Sequence, residues 1–339
     1  MTCVRTAGGL AVLCALAIGL CLTGCDWLAV PTPPPLPAPA FRLSGDAESL
    51  PTEQRIAVTE IVDAHCGSPE SAKFLGEPDR DALSLATAAE WFNLSCSPCH
   101  GISGDGVGLI GDWFDPRARD FRRGVFKFQS TPYGAKPLRA DIRRTIERGL
   151  PGSMMPAFGR RSAAEIDALV DYVILLARRG ELERQLVMAV DNGDSLTPQV
   201  VDEITAEILT TWKEAEGLVV QPLSPQPEFT AESVARGKAA FTARGCAKCH
   251  GDDGKGQTAE NLRGGLKDYW GFSVRAADLT TGRLKGGSEP LDVYRRILGG
   301  INGTPMPSFR ATLWTEPETI WDLVAYVLAL GQNAKGQVR

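Results

Sequence analysis

The chain has 339 residues, 43% of them hydrophobic and 23% charged, a composition that suits a globular protein and excludes a disordered or low-complexity one. Its length accommodates about two to three domains of ordinary size. A formal net charge of −5 argues against nucleic acid as a partner.

From the N-terminus, residues 1–24 read as a secretory leader: Arg5 supplies the positive start, Gly8 to Leu22 the apolar stretch, and Leu22-Thr23-Gly24-Cys25 the end. Its apolar part is too short to span a bilayer. Leu22 to Cys25 resembles a bacterial lipobox, whose cysteine is acylated and becomes the mature N-terminus. That places the protein on the periplasmic side of a bacterial membrane, lipid-anchored at Cys25, because several acyl chains on one residue hold stably where one is marginal. Asp26 resembles an inner-membrane retention signal. Residues 25–45 form a Pro-rich tether: Pro31 to Pro39 holds six prolines in nine residues, which extend as a spacer. No other stretch is long and apolar enough to cross a membrane.

A short helix is predicted over Thr52 to Ala64, followed by a Gly/Pro-rich turn, with His65 and the odd thiol Cys66 beside it. Helices are then predicted over Leu85–Ser95 and Ala231–Arg244, each running into a pentapeptide of one form, Cys96-Ser97-Pro98-Cys99-His100 and Cys246-Ala247-Lys248-Cys249-His250. C-x-x-C-H is the attachment signature of c-type haem. Two thiols about one helical turn apart can form thioethers to one porphyrin, and the adjacent imidazole reaches the iron. Cys96, Cys99, Cys246 and Cys249 are therefore the candidate covalent attachment residues, and His100 and His250 the proximal ligands. A zinc reading fails, because no further Cys or His pairs exist to complete two tetrahedral sites.

The two motifs belong to a duplication. His100 precedes Met155 by 55 residues and His250 precedes Met306 by 56. Between those anchors Arg117, Asp120, Gly124, Lys127, Asp141, Arg144 and Gly152 correspond to Arg275, Asp278, Gly282, Lys285, Asp292, Arg295 and Gly303. The second copy has the longer loop after its haem motif. Closing helices are predicted over Ala163–Arg178 and Glu316–Leu330, started by Ser162 and Thr315 and stopped by Gly180 and Gly331. A further helix, Pro198 to Glu216, lies between the copies, with Trp212 as a packing anchor. No alternating strand pattern appears, so the predicted fold class is all-α.

The copies also select the distal ligands. Met155 and Met306 occupy matching Met-Pro positions, which favours Met155 over its neighbour Met154. A thioether opposite the imidazole stabilises Fe(II) and raises the potential. His65 is the sole spare histidine, so at most one haem could carry two imidazoles. Arg117 and Arg275 are candidates to pair with haem propionates, since a guanidinium binds a carboxylate bidentately. The basic run from Arg117 to Arg148 reads by default as a solvated face that could steer an acidic redox partner.

Both copies resemble class I c-type cytochrome domains, small helical folds with His–Met ligated haem, in which the first and last helices cross through a small residue and aromatic contacts. Gly237 and Phe241 match the first-helix pattern, Ala88 and Phe92 match it less perfectly, and Tyr172 and Tyr326 match the last helix. The segment from Arg119 to Pro132 resembles haem-c subunits that accompany respiratory oxidases or molybdenum dehydrogenases. The resemblance implies two haem c groups, an electron-transfer role with no catalytic residues, and a respiratory oxidase or dehydrogenase complex as partner. The expected organisation is a leader (1–24), a tether (25–45), an extension with the first cytochrome domain (46–184), a helical linker (185–227) and the second cytochrome domain (228–339). Two alternatives are a di-haem peroxidase-like enzyme, which in that family needs histidine ligation beyond what His65 offers, and a gas sensor that binds its ligand after releasing Met.

Overall fold

The computed structural model describes residues 40–77 and 82–336. The leader, Cys25 and the Pro-rich run lie outside the described residues. The fold is all-α: among the described residues strand pairing is limited to two isolated bridges, Gly67 with Ala72 and Lys267 with Ser273. No helix among them is long and apolar enough to cross a membrane.

The first lobe contains α1 (Gly45–Glu48), α2 (Thr52–Cys66), α3 (Ala82–Ser95), the haem-motif turn α4 (Ser97–His100), α5 (Arg139–Arg148), α6 (Ala163–Asp191) and α7 (Pro198–Glu214). The second contains α8 (Ala231–Ala243), α9 (Ala247–His250), α10 (Ala259–Leu262), α11 (Pro290–Gly299), α12 (Arg310–Leu313) and α13 (Pro317–Gly336). Each lobe has its own apolar core, one built around Phe92, Leu169, Tyr172 and Leu176, the other around Phe241, Tyr294, Trp321 and Val324. A fully buried side chain of this size contributes about 1.5–3 kcal/mol, so these contacts fix how the helices cross.

In each lobe the opening helix crosses the closing helix at a small residue. Gly237 on α8 lies so close to α13 that a Cβ would fall 1.9 Å from the Asp322 carbonyl oxygen. Ala88, fully buried, takes that position on α3. One helical turn later an aromatic pair closes the crossing, Phe92 with Tyr172 at 5.1 Å and Phe241 with Tyr326 at 5.3 Å between ring centroids.

The closing helices begin near the predicted points. Ser162 caps α6 by accepting from the Glu165 N–H at 3.3 Å, while the Glu165 carboxylate accepts from the Ser162 N–H at 2.8 Å. In α13 the first helical residue is Pro317, whose missing N–H costs nothing there.

The predicted stops are overturned. Gly180 lies inside α6, which continues to Asp191, and Gly331 lies inside α13. Both glycines serve close approach: a Cβ at Gly180 would meet the Arg122 backbone at 2.4 Å, and one at Gly331 would meet Gly282 Cα at 2.7 Å. Beyond Gly180 the helix is held by satisfied buried charges. Glu183 accepts from Arg179 at 3.3 Å and from the Ser44 N–H at 2.7 Å, and Glu181 accepts from the Trp212 indole at 2.7 Å and pairs with Lys136. Trp212 thereby fastens α7 to the first core, where Val201 and Ile208 also lie.

Val220, just past α7, is tied on both sides. Its N–H donates to the Ser130 carbonyl at 2.8 Å and its carbonyl accepts from Arg295 Nε at 3.2 Å.

Candidate functional site

Each haem motif sits on the turn that follows the opening helix. The Cys96 N–H donates to Phe92 O at 2.8 Å and the Cys246 N–H to Phe241 O at 3.0 Å, so the turn continues from the helix that carries the core aromatic. His100 and His250 in turn donate their backbone N–H to Cys96 O and Cys246 O at 2.9 and 3.0 Å. Both thiols and the imidazole of each motif are thereby gathered on a single turn. All four thiols are free, and burial pushes Cys96 up to about 12 and raises Cys99 and Cys246, favouring the protonated thiol at those three positions.

The two imidazoles are oriented identically. His100 Nδ1 lies 2.9 Å from the Arg119 carbonyl and His250 Nδ1 3.0 Å from the Ala277 carbonyl, the same position in the duplicated pattern. A carbonyl can only accept, so Nδ1 carries the proton and Nε2 keeps its lone pair for a metal. Burial favours the neutral imidazole, lowering His100 to about 4 and lowering His250 in the same direction. Phe121 stacks on the His100 ring with 4.6 Å between centroids.

Met155 and Met306 occupy loops of one construction. The Leu150 N–H donates to Met155 O and the Ile301 N–H to Met306 O, each at 3.1 Å. The Ser153 hydroxyl accepts from the Met155 N–H and the Thr304 hydroxyl from the Met306 N–H, each at 3.2 Å. Both methionines are half-buried, whereas Met154 is 61% exposed.

The donor set fits haem c in each lobe: two free thiols on one turn, a half-buried imidazole with Nε2 uncommitted, and a methionine in a matched loop. Arg117 and Arg275 both line one cleft of about 380 Å³ together with Phe114 and Phe272. Arg117 is also paired with Asp112. His65 and Cys66 close α2, which packs against α6; Cys66 is fully buried, and burial pushes its thiol up to about 12.

The basic run is not the free solvated face that its composition suggests. Arg122 pairs with Asp120, Lys136 with Glu181, Arg143 with Glu147 and Arg144 with Asp292 of the other lobe. Arg119 lies over the Trp270 ring, its Cζ 3.6 Å from the centroid. Trp270 and its neighbours were not picked out from the sequence. The signal was available: an aromatic Tyr-Trp-Gly-Phe run in the longer second loop, where the first copy has the shorter Trp113-Phe114.

Comparison with known proteins agrees with this construction. Residues 234–331 match the Cytochrome c family, and residues 84–173 match subunit III of cbb3-type cytochrome c oxidase. The chain is 26% identical over 270 residues to the cbb3-type cytochrome c oxidase subunit CcoP of Azospirillum sp. (strain B510), a match that covers 75% of this chain and 66% of that relative's length. Among solved structures it resembles the reducing HAO-like protein complex of Kuenenia stuttgartiensis, with a TM-score of 0.56 and 29% identity, over 72% of this chain and 94% of the matched one. With its opening and closing helices crossed in each lobe and a haem-c donor set repeated on them, the chain carries two class I c-type cytochrome domains in tandem, the construction of a haem electron-transfer cytochrome.

Proposed function

We propose that the protein is a membrane-anchored di-haem cytochrome c that relays electrons between respiratory redox partners, each iron held by a histidine and a methionine: His100 with Met155, and His250 with Met306. Haem c, when bound, would supply a one-electron Fe(III)/Fe(II) couple, and a methionine thioether ligand would raise its potential. The single observation that carries this reading is the repeated imidazole-to-carbonyl bond, which commits Nδ1 in both lobes and leaves Nε2 for iron. The matched methionine loops support a sulfur ligand in each lobe.

Cys96 and Cys99 would attach one haem and Cys246 and Cys249 the other. The leader (1–24), the tether (25–45) with acylation at Cys25, the domains over 46–184 and 228–339 and the linker over 185–227 belong to the same reading, with α7 riding on the first domain. Arg117 and Arg275 would neutralise propionates at their shared cleft. The partner is then a respiratory oxidase or dehydrogenase complex that meets the protein on the periplasmic side. The CcoP relative is a subunit of such an oxidase, which favours an electron-transfer subunit over a peroxidase or a gas sensor.

The test is a pyridine haemochrome count on the purified protein, with the far-red Met–Fe(III) band followed in Met155→Ala and Met306→Ala. Two haems per chain and loss of part of that band in each variant are expected. An unchanged band in either variant removes that methionine from the ligand set.

A further inference from the structure

The long loop after the second haem motif is a hairpin. The Asp268 N–H donates to Phe272 O at 2.9 Å and the Val274 N–H to Leu266 O at 3.0 Å, and Tyr269 and Trp270 stand at its tip. Its three aromatic residues each lie beneath a guanidinium of the first lobe: Trp270 under Arg119 at 3.6 Å, Phe272 under Arg117 at 4.7 Å and Tyr269 under Arg123 at 5.2 Å. Cations over aromatic faces attract, so this longer second loop is one of the places where the two copies hold each other.

Trp270 also reaches into the second site. At Gly303, three residues before Met306, a Cβ would come within 2.9 Å of the indole ring, and the Tyr269 N–H donates to the Gly303 carbonyl at 3.1 Å. The indole is also covered by Arg119, whose own carbonyl holds His100 at 2.9 Å. Continuous contact therefore runs from His100 through Arg119 and Trp270 to Gly303 and the Met306 loop. Among the described residues no carboxylate pairs with the Arg119 guanidinium, and the buried Trp270 indole N–H has no hydrogen-bond partner.

Building on the two-haem reading, we propose that Trp270, stacked on Arg119, is the bridge through which the two haem sites exchange an electron. One electron leaves the reduced site and reduces the oxidised one; no bond forms or breaks and no proton moves. Tunnelling falls off less steeply through bonded and tightly packed atoms than across a solvent gap, and a π-system lies at the contact between Arg119 and Gly303. Trp270 would be a positioning residue for this exchange.

The experiment is flash photoreduction of the holoprotein, following electron redistribution between the haems, with both midpoint potentials and the haem count measured on the same samples. Trp270→Leu is expected to slow exchange by about tenfold while both potentials stay where they were. Trp270→Phe, which keeps an aromatic face and loses the N–H, is expected to retain most of the rate. An unchanged rate in Trp270→Leu with two haems bound overturns the bridge alone. A rate loss accompanied by a shift of either potential also overturns it, since Trp270 would then act through the haem surroundings. Fewer than two haems in the unaltered protein refutes the two-haem reading and the bridge with it. Should Trp270→Leu fail to take up haem, Arg119→Met removes the stack and keeps the carbonyl acceptor for His100. Slower exchange at unchanged potentials in that variant supports the bridge, and an unchanged rate overturns it.

Discussion

The two lobes are copies of one pattern, and they agree where haem chemistry constrains them and diverge where it does not. The imidazole-to-carbonyl bond, the aromatic pair at the helix crossing and the methionine loop are reproduced to within a few tenths of an ångström. Outside that shared frame the first lobe grows inward. Its closing helix runs to Asp191 and gathers α1, α2 and α7 around buried charges and Trp212. The second lobe grows toward its sibling, adding the aromatic hairpin that docks on Arg117, Arg119 and Arg123. Duplication preserved the half-site that each haem needs, and the surplus sequence in each copy went to a different neighbour.

The sharpest way to break the likeness is chemical. Cys246→Ala with Cys249→Ala should halve the covalently bound haem while the first lobe keeps its own, read by pyridine haemochrome after denaturation. The helix crossing separates the lobes next. Gly237→Ala places a methyl 1.9 Å from the Asp322 carbonyl and should cost about 3 kcal/mol through overpacking, whereas Ala88→Gly in the first lobe should cost about 1 kcal/mol, mainly through helix propensity. Denaturant unfolding of the two variants compares them directly.

Trp212→Phe strips a buried donor from Glu181 and should destabilise the first lobe by about 1–3 kcal/mol, leaving the Met306 band untouched. The smallest effect concerns Cys66. Burial raises its thiol from 9.0 to about 12, so above about pH 9 the unfolded chain releases a proton that the native state still holds. Stability should therefore fall as pH rises through that range. Cys66→Val should flatten this alkaline slope in melts taken at increasing pH.

The haem motifs were legible because they are local, C-x-x-C-H lying on one turn, and the proposal of Met155 over Met154 rests on the duplicated register. The helix order and the all-α class followed from periodicity and capping residues such as Ser162. Gly180 and Gly331 misled, because a glycine that ends a helix and one that admits a neighbouring backbone look alike until the neighbour is known. The docking role of Arg119 was hidden for a related reason. A basic run reads as solvated when its partners lie some 150 residues away, in a loop that differs in length between the copies. The orienting acceptors for His100 and His250 are main-chain atoms, which no side-chain pattern reports.

That last fact frees a position for other work. Since a peptide oxygen, and no side group, holds each imidazole, residue identity there is released from selection for ligand geometry: one copy places alanine at 277, the other arginine at 119. The same backbone station can thus stay neutral in one repeat and be recruited for assembly in the next, letting gene duplication evolve a contact between twins without disturbing either metal centre.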